Sequence, residues 1–275
     1  MTASSATTPL LDPAGFGPPY ETFDFTETDG IATLTLNRPD RLNALSARMA
    51  LELQNLFRAL AVCPRTRVVL LRGAGRAFCA GLDLKEIEAA PPEPDTILKV
   101  QRRVSEIILL MRRCPQPIIA LVHGAAAGGG FALALASDVR IGTPEARFNV
   151  AMARIGLSGC DVGISYFLPR AVGSSMAARL IYTGAFLDAE RAFGLGLLSE
   201  LVPRDLLDET GLAIAREMLQ QSPLALRLSK DGLNQAIDAP SLEAVIAMED
   251  RQQSLCVLTG DFNRMTQARR PGAPG

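Results

Sequence analysis

The sequence predicts an α/β protein, and three observations lead to this fold class. Apolar, β-branched runs such as 68–71 and 117–122 have the composition of buried strands. The segments between them carry apolar residues at helical spacing, as in 46–62. Beyond Asp205 only helical periodicity remains. Strands that alternate with helices indicate an α/β core, here followed by a helical C-terminal region.

In the N-terminal half the pattern predicts a hairpin and then alternating helices and strands. Segments 23–28 and 31–36 alternate apolar and polar residues around Asp29-Gly30, which is typical of a hairpin. Helix 46–62 is predicted to end before Pro64. The later predicted elements are strand 68–71, helix 82–89, a proline-rich loop at 91–94, helix 96–113 and strand 118–122.

The chain is predicted to comprise a flexible tail over 1–20, an α/β core over 21–204 and a helical region over 205–275. Helices are expected at 205–221, 223–237 and 242–258, with no strands between them. Such a region can cover its own subunit or dock on another one. The periodicity leaves both arrangements open.

Composition excludes several classes of function. The chain has 275 residues, 48% of them hydrophobic, and a formal net charge of −1 without a basic cluster, which argues against nucleic acid as a partner. No apolar run is long enough to span a membrane, and the first 20 residues lack the pattern of an export signal, so we expect a cytoplasmic protein. Five scattered cysteines and one histidine make disulfides and a metal site unexpected.

Two turns of small residues, 78–84 and 123–131, carry the most information about function. Each follows a predicted strand and precedes a predicted helix, where backbone N–H groups are free and the helix dipole is positive. Two such turns could bind one oxygen from two sides, as an oxyanion hole does. Other glycine motifs are incomplete. Leu133 stands where a dinucleotide fingerprint needs its third glycine, and Gly130 stands where a P-loop needs lysine. Cys160 stands where the motif G-x-S-x-G needs its second glycine.

Taken together, the motifs resemble the enoyl-CoA hydratase/isomerase family, the crotonase superfamily. The matching pieces are 36–39, 42–45, 80–85, 128–130, 136–141, 146–148 and 168–173. The likeness runs from about Phe23 to Arg270. It implies a crotonase-like spiral of ββα units, an acyl-CoA substrate and no other cofactor. It also implies C-terminal helices that build a homotrimer or hexamer, in which a neighbour's helices help to cover the CoA.

By the same resemblance, the oxyanion donors are the backbone N–H groups of Leu82 and Gly129. Loss of one such donor typically raises a barrier by about 2.7–4 kcal/mol. Arg41 and Lys85 are candidate contacts for CoA phosphates, and solvated surface charge is the alternative for both. The implied substrate-binding residues are Arg41, Leu42, Ala44, Ala80, Gly81, Leu82, Asp83, Leu84, Lys85, Gly128 and Gly129.

The chain departs from the family where the hydratases carry two glutamates. Those positions hold Ala132 and Met152, which cannot carry a proton. Asp161, just before Val162-Gly163, resembles a catalytic aspartate of the dienoyl-CoA isomerase branch, although the loop here is one residue longer. An aspartate in this setting is otherwise a turn or capping residue.

The remaining reactive residues near the two turns are weaker candidates. His123 and Asp83 are expected to be structural, and Cys79 and Cys160 lack an evident cationic neighbour that would activate a thiolate. The prediction is therefore an enzyme that stabilises a thioester enolate and moves a double bond, with Asp161 as its single carboxylate. The alternatives are enoyl-CoA hydration, thioester hydrolysis and a non-catalytic acyl-CoA-binding subunit.

Overall fold

A computed structural model describes residues 20–89 and 94–268, and within them it confirms the predicted α/β fold. The predicted tail, apart from Tyr20, and most of the proline-rich loop lie outside the described residues. The strands are β1 (Phe23–Thr28), β2 (Ile31–Leu36), β3 (Val68–Gly73), β4 (Ile118–Val122), β5 (Ala125–Ala127), β6 (Val139–Gly142), β7 (Arg147–Asn149), β8 (Leu187–Asp188) and β9 (Glu200–Leu201).

The helices surround two sheets. They are α1 (Ala47–Ala61), α2 (Leu84–Ala89), α3 (Pro94–Arg113), α4 (Gly129–Ala136), α5 (Ile164–Val172), α6 (Ser174–Thr183), α7 (Ala189–Gly194), α8 (Leu207–Leu219), α9 (Pro223–Ala236), α10 (Leu242–Leu258) and α11 (Gly260–Ala268). Ser46 caps α1, because its hydroxyl accepts from the Met49 amide at 3.1 Å. None of the helices in the described part of the chain is long and apolar enough to cross a membrane.

Most strands belong to one six-stranded sheet with the order β1-β2-β3-β4-β6-β9. The predicted hairpin is confirmed: β1 pairs antiparallel with β2, and Thr28 lies opposite Ile31. All the other neighbours in this sheet are parallel. The second sheet, β5-β7-β8, receives the chain directly after β4 and β6. Consecutive strands thus enter different sheets before a helix follows, which is the predicted ββα repeat.

Several element boundaries differ from the prediction: α3 begins at Pro94 rather than at residue 96, and α8 begins at Leu207 rather than at residue 205. Helix α2 begins at Leu84 rather than at residue 82, and the three-residue strand β5 precedes the glycine triplet that opens α4. Leu82 is instead paired with Leu45 in an isolated parallel β-bridge. Strands of two or three residues contain too few positions for an apolar–polar alternation to be recognised.

The helical C-terminal region is partly packed on its own subunit. Leu207 and Ala215 of α8 are fully buried against the six-stranded sheet, together with Leu70 and Leu121. A Cβ built on Gly211 would lie 2.6 Å from a methyl group of Leu121, so α8 approaches the sheet closely at this glycine. Helix α8 therefore covers one face of the sheet. The domain boundary predicted at residue 205 stays a prediction.

A buried lysine holds the next helix, α9, on the core. The ammonium group of Lys230 donates to Met111 O at 3.1 Å and to Gln116 O at 2.8 Å, and lies 2.9 Å from a carboxylate oxygen of Asp138. Burial of this charge is tolerated because the carbonyls and the carboxylate replace its water.

Helix α10, by contrast, buries none of its described residues. It packs on α9 and α11 and leaves large apolar side chains exposed: Leu242, Ile246, Leu255, Val257 and Leu258.

Candidate functional site

The segment 79–83 is held by backbone hydrogen bonds to the segment just before α1. The Ala80 amide donates to Leu42 O at 2.9 Å, the Leu45 amide donates to Gly81 O at 2.7 Å, and the Asp83 amide donates to Leu45 O at 3.0 Å. These bonds fix the position and direction of the backbone immediately before α2.

The opposite side of this segment pairs with the strand that leads to the glycine triplet. The Cys79 amide donates to Ala125 O, and the Ala127 amide donates to Cys79 O, both at 3.0 Å. The two turns predicted from sequence therefore lie side by side. The close approach depends on small residues, since a Cβ on Gly130 would be only 2.1 Å from the Cys79 carbonyl oxygen.

The two predicted oxyanion donors are free backbone amides. Within residues 20–89 and 94–268, neither the Leu82 amide nor the Gly129 amide donates to a protein acceptor. Gly129 is the first residue of α4, so its amide belongs to the unpaired first turn at the positive end of the helix. The Leu82 amide is free for another reason: Gly81 O bonds to Leu45, and a trans peptide places the next N–H on the opposite side.

Gly81 connects the two donors. Its φ of +91° is accessible to glycine, and a Cβ built there would lie 2.7 Å from Ala127 O and 3.2 Å from the Gly129 nitrogen. The turn that presents the Leu82 amide is thus in direct contact with the backbone that presents the Gly129 amide. Any larger residue at position 81 would push on that backbone.

Apolar side chains occupy the two positions where the hydratases carry glutamates. Ala132 is fully buried in α4, and Met152 is 7% exposed. The Met152 sulfur lies beside the glycine triplet, 3.3 Å from the place where Gly128 would carry a Cβ. These residues supply apolar surface next to the free amides and no group that can transfer a proton.

Asp161 lies in the turn before α5, a helix that packs against α4. Its side chain is partly buried, and Oδ1 accepts from the Val162 amide at 2.8 Å and from Nε2 of Gln101 on α3. Its own carbonyl accepts from the Ile164 amide at 2.8 Å, as expected of a turn residue. In the described part of the chain, Oδ2 accepts no hydrogen bond. Asp161 thus has the hydrogen bonds of a turn residue, and its second carboxylate oxygen is available for a further contact.

Asp83 is an anchor rather than a free carboxylate. Its Oδ2 lies 2.7 Å from a guanidinium nitrogen of Arg38. Burial acts to raise the pKa of Asp83, but the hydrogen bond and the charge of Arg38 outweigh it, so the pKa is lowered. The ionised side chain ties the start of α2 to the segment before α1.

Sequence reasoning missed the role of two residues in the motif segments, Arg38 and Asn43. The Asn43 side chain is fully buried, and its amide nitrogen lies within 3.2 Å of the carbonyl oxygens of Ala74, Ala77 and Phe78. It closes the loop that leads from β3 into the 79–83 segment. No local pattern in the sequence indicates this role, because the burial of Asn43 and its carbonyl partners more than 30 positions away are tertiary features.

Charged side chains line an open cavity of about 470 Å³ next to this site. Arg41 and Lys85 are exposed at its edge and form no ion pair with any described residue. Leu42 is partly buried, Ala44 is buried, and Leu84 is exposed. The predicted contacts for CoA phosphates and the predicted oxyanion donors are therefore on neighbouring parts of the surface.

His123 and Cys79 lie in environments that do not suit a reactive group. Nε2–H of His123 donates to Gly75 O at 3.0 Å, and burial lowers the pKa of its imidazole. Burial raises the pKa of the Cys79 thiol to about 12. Cys160 is exposed. At neutral pH His123 is thus neutral and Cys79 is a thiol.

The structure thus brings two turns of small residues together on one α/β core, with two free amides and apolar side chains beside them. The chain matches the enoyl-CoA hydratase/isomerase family over residues 26–268 and belongs to it. It is 38% identical over 245 residues to the probable enoyl-CoA hydratase EchA12 of Mycobacterium tuberculosis, a match that covers 87% of this chain and 86% of the relative.

Some relatives are named as hydratases and others as isomerases. The 1,2-epoxyphenylacetyl-CoA isomerase of Escherichia coli is 34% identical over 241 residues, with 87% of this chain and 91% of the relative covered. The enoyl-CoA hydratase of Bacillus anthracis has a similar crystal structure, with a TM-score of 0.86, 32% identity, and 90% of this chain and 95% of that chain covered. The chain therefore belongs to a family of acyl-CoA-processing enzymes, and the members of this family differ in the reaction that their names give.

Proposed function

We propose that this enzyme binds the thioester carbonyl of an acyl-CoA between the amides of Leu82 and Gly129 and stabilises its enolate. The observation that carries the proposal is the pair of free amides on two turns that touch at Gly81. Negative charge that develops on the thioester oxygen would be stabilised by both donors. No further cofactor enters this chemistry, because the CoA is part of the substrate.

Asp161 is the proposed proton carrier, and the proposed reaction is movement of a double bond. The carboxylate takes a proton from the α-carbon of a β,γ-enoyl-CoA, which leaves a dienolate on the thioester oxygen. The same proton then returns to the γ-carbon, and the product is the conjugated α,β-enoyl-CoA. One carboxylate suffices, since the proton that leaves one carbon is the proton that arrives at the other.

The residues beside the glycine triplet support isomerisation over hydration. Hydration requires activation of a water molecule in addition to protonation of carbon, and neither Ala132 nor Met152 can assist. The second candidate is a non-catalytic acyl-CoA-binding subunit, which the same two apolar positions favour.

CoA binding and assembly complete the proposal. Arg41 and Lys85 are proposed to contact the phosphates of CoA, because both are exposed, cationic and adjacent to the segment that presents the Leu82 amide. Copies of the chain are proposed to form a trimer or hexamer, in which the exposed apolar side chains of α10 become covered.

The experiment compares Asp161→Asn with the unchanged enzyme. Isomerisation of a six-carbon β,γ-enoyl-CoA is followed by the ultraviolet absorbance of the conjugated product, and hydration of crotonyl-CoA is measured in parallel. We expect isomerisation to exceed hydration. Asp161→Asn should lower kcat by about 10²-fold and leave the affinity measured by calorimetry unchanged, because shape and polarity are kept while proton transfer is lost.

The control is Cys160→Ser, which alters the exposed neighbouring residue of the same loop and should leave kcat unchanged. Full turnover in Asp161→Asn would overturn the role of this carboxylate. Tight binding of the acyl-CoA without isomerisation, hydration or hydrolysis would support the non-catalytic subunit instead.

A further inference from the structure

The turn 161–163 lies along one face of α3. The carboxylate of Asp161 accepts from Gln101 Nε2, and a Cβ on Gly163 would lie 3.5 Å from a methyl group of Ile108. Gln101 and Ile108 are two helical turns apart, so both belong to the same face of the helix. Helix α3 therefore supports the turn at two points, one polar and one apolar.

Helix α3 is itself firmly held by the core. Ile107 and Met111 are fully buried, and the buried side chain of Gln54 donates to Arg103 O at 2.7 Å. The backbone of α3 that carries the side chain of residue 101 is thus held in place. This makes α3 suited to orient a group on the neighbouring loop.

The turn has little local means to orient the carboxylate. Val162 has a φ of +41°, a strained value for a β-branched residue, and among the described residues its amide bonds only to the side chain of the preceding residue. A single hydrogen bond to one oxygen does not by itself fix the plane of the carboxylate. Gln101, which is 60 positions away in the chain, supplies the second donor to the same oxygen.

We infer that Gln101 is a positioning residue for Asp161: it holds Oδ1 so that Oδ2 is presented to the substrate. The inference rests on the proposed function of Asp161 as the proton carrier. Both hydrogen bonds go to Oδ1, and no described residue donates to Oδ2. One oxygen therefore anchors the group and the other reacts. Without Gln101 the carboxylate samples orientations in which Oδ2 is out of reach of the α-carbon.

The test measures kcat and KM for the six-carbon β,γ-enoyl-CoA, and exchange of its α-proton in D₂O, in single and double variants. Gln101→Met keeps the length of the side chain and removes the donor. We expect kcat and the exchange rate to fall by about 10-fold or more, with KM within about 2-fold, because misplacement of a reacting group lowers the rate without loss of substrate contacts.

Two comparisons separate positioning from a general structural effect. In the Asp161→Asn background, Gln101→Met should cause no further loss, because the group through which it acts is absent. Gln54→Met removes another glutamine bond to α3 and should leave kcat unchanged. Unchanged kcat in Gln101→Met, or an equal loss in the Asp161→Asn background, would overturn the inference. Full turnover in Asp161→Asn alone would instead overturn the proposed proton carrier.

Discussion

Gly81 offers the sharpest test of the proposed oxyanion site. In Gly81→Ala the new methyl group would lie 2.7 Å from Ala127 O, about 0.7 Å short of an ordinary contact at 3.4 Å. It would also lie 3.2 Å from the Gly129 nitrogen. The backbone must yield, and the two amides move apart. Since misplacement by about 1 Å can cost about 10²-fold in rate, we expect kcat to fall by about 10- to 100-fold.

Gly81→Ala should also lower the stability of the protein, and a matched variant measures how much a loss of stability alone affects kcat. Alanine at a φ of +91° costs about 1–2 kcal/mol, which corresponds to a decrease in Tm of about 2–4 °C per kcal/mol for a domain of this size. Gly196 has a φ of +81° and no atom within 4 Å of an added Cβ. Gly196→Ala should therefore lose similar stability and keep its kcat.

Thermal unfolding gives the transition temperature of each variant, and isomerisation of the β,γ-enoyl-CoA is then measured below the lower of the two temperatures. The proposed oxyanion site would be refuted by a folded Gly81→Ala protein with unchanged kcat. It would be refuted equally by a Gly196→Ala protein that loses as much activity as Gly81→Ala does.

Two further predictions concern pH and assembly. Burial lowers the pKa of His123, the single histidine of the chain, so the unfolded chain takes up the proton first, near its ordinary pKa of 6.5. The His123 contribution to stability should therefore be fully present above that pH and decline below it, by at most about 1.4 kcal/mol per pH unit. Urea unfolding between pH 7 and pH 5 should show that the free energy of unfolding falls less steeply with decreasing pH in His123→Gln than in the unchanged protein. An identical pH dependence in both proteins would contradict the lowered pKa of His123. The exposed apolar side chains of α10 predict a trimer or hexamer in light scattering, and Leu255→Glu should weaken it; a monomer at micromolar concentration would disprove the proposed assembly.

The fold class was predictable because its main elements are long and regular. The hairpin around Asp29-Gly30, helix α1 and strand β4 each contain enough residues for a period to appear, and the structure confirms them. The short strands of the second sheet were missed for the opposite reason, and α11 was missed as well. The start of α2 was predicted two residues early, since a local pattern does not reveal that Leu82 pairs with Leu45.

The candidate site divides in the same way. The glycine turns and the apolar residues at positions 132 and 152 can be recognised along the chain, because each is a local feature. The bonds from Arg38 to Asp83 and from Gln101 to Asp161 join residues 45 and 60 positions apart, and no periodicity encodes them.

The sequence by itself determined that this protein is an α/β member of its family, with two turns of small residues and no glutamate beside the glycine triplet. Only the tertiary structure decided which amides are free. Among the described residues, the Leu82 amide has no acceptor because Leu45 binds the carbonyl before it, and the Gly129 amide has none because a helix begins there. A backbone N–H has the same chemistry in every residue, so the packing around it alone determines whether it is available to a substrate.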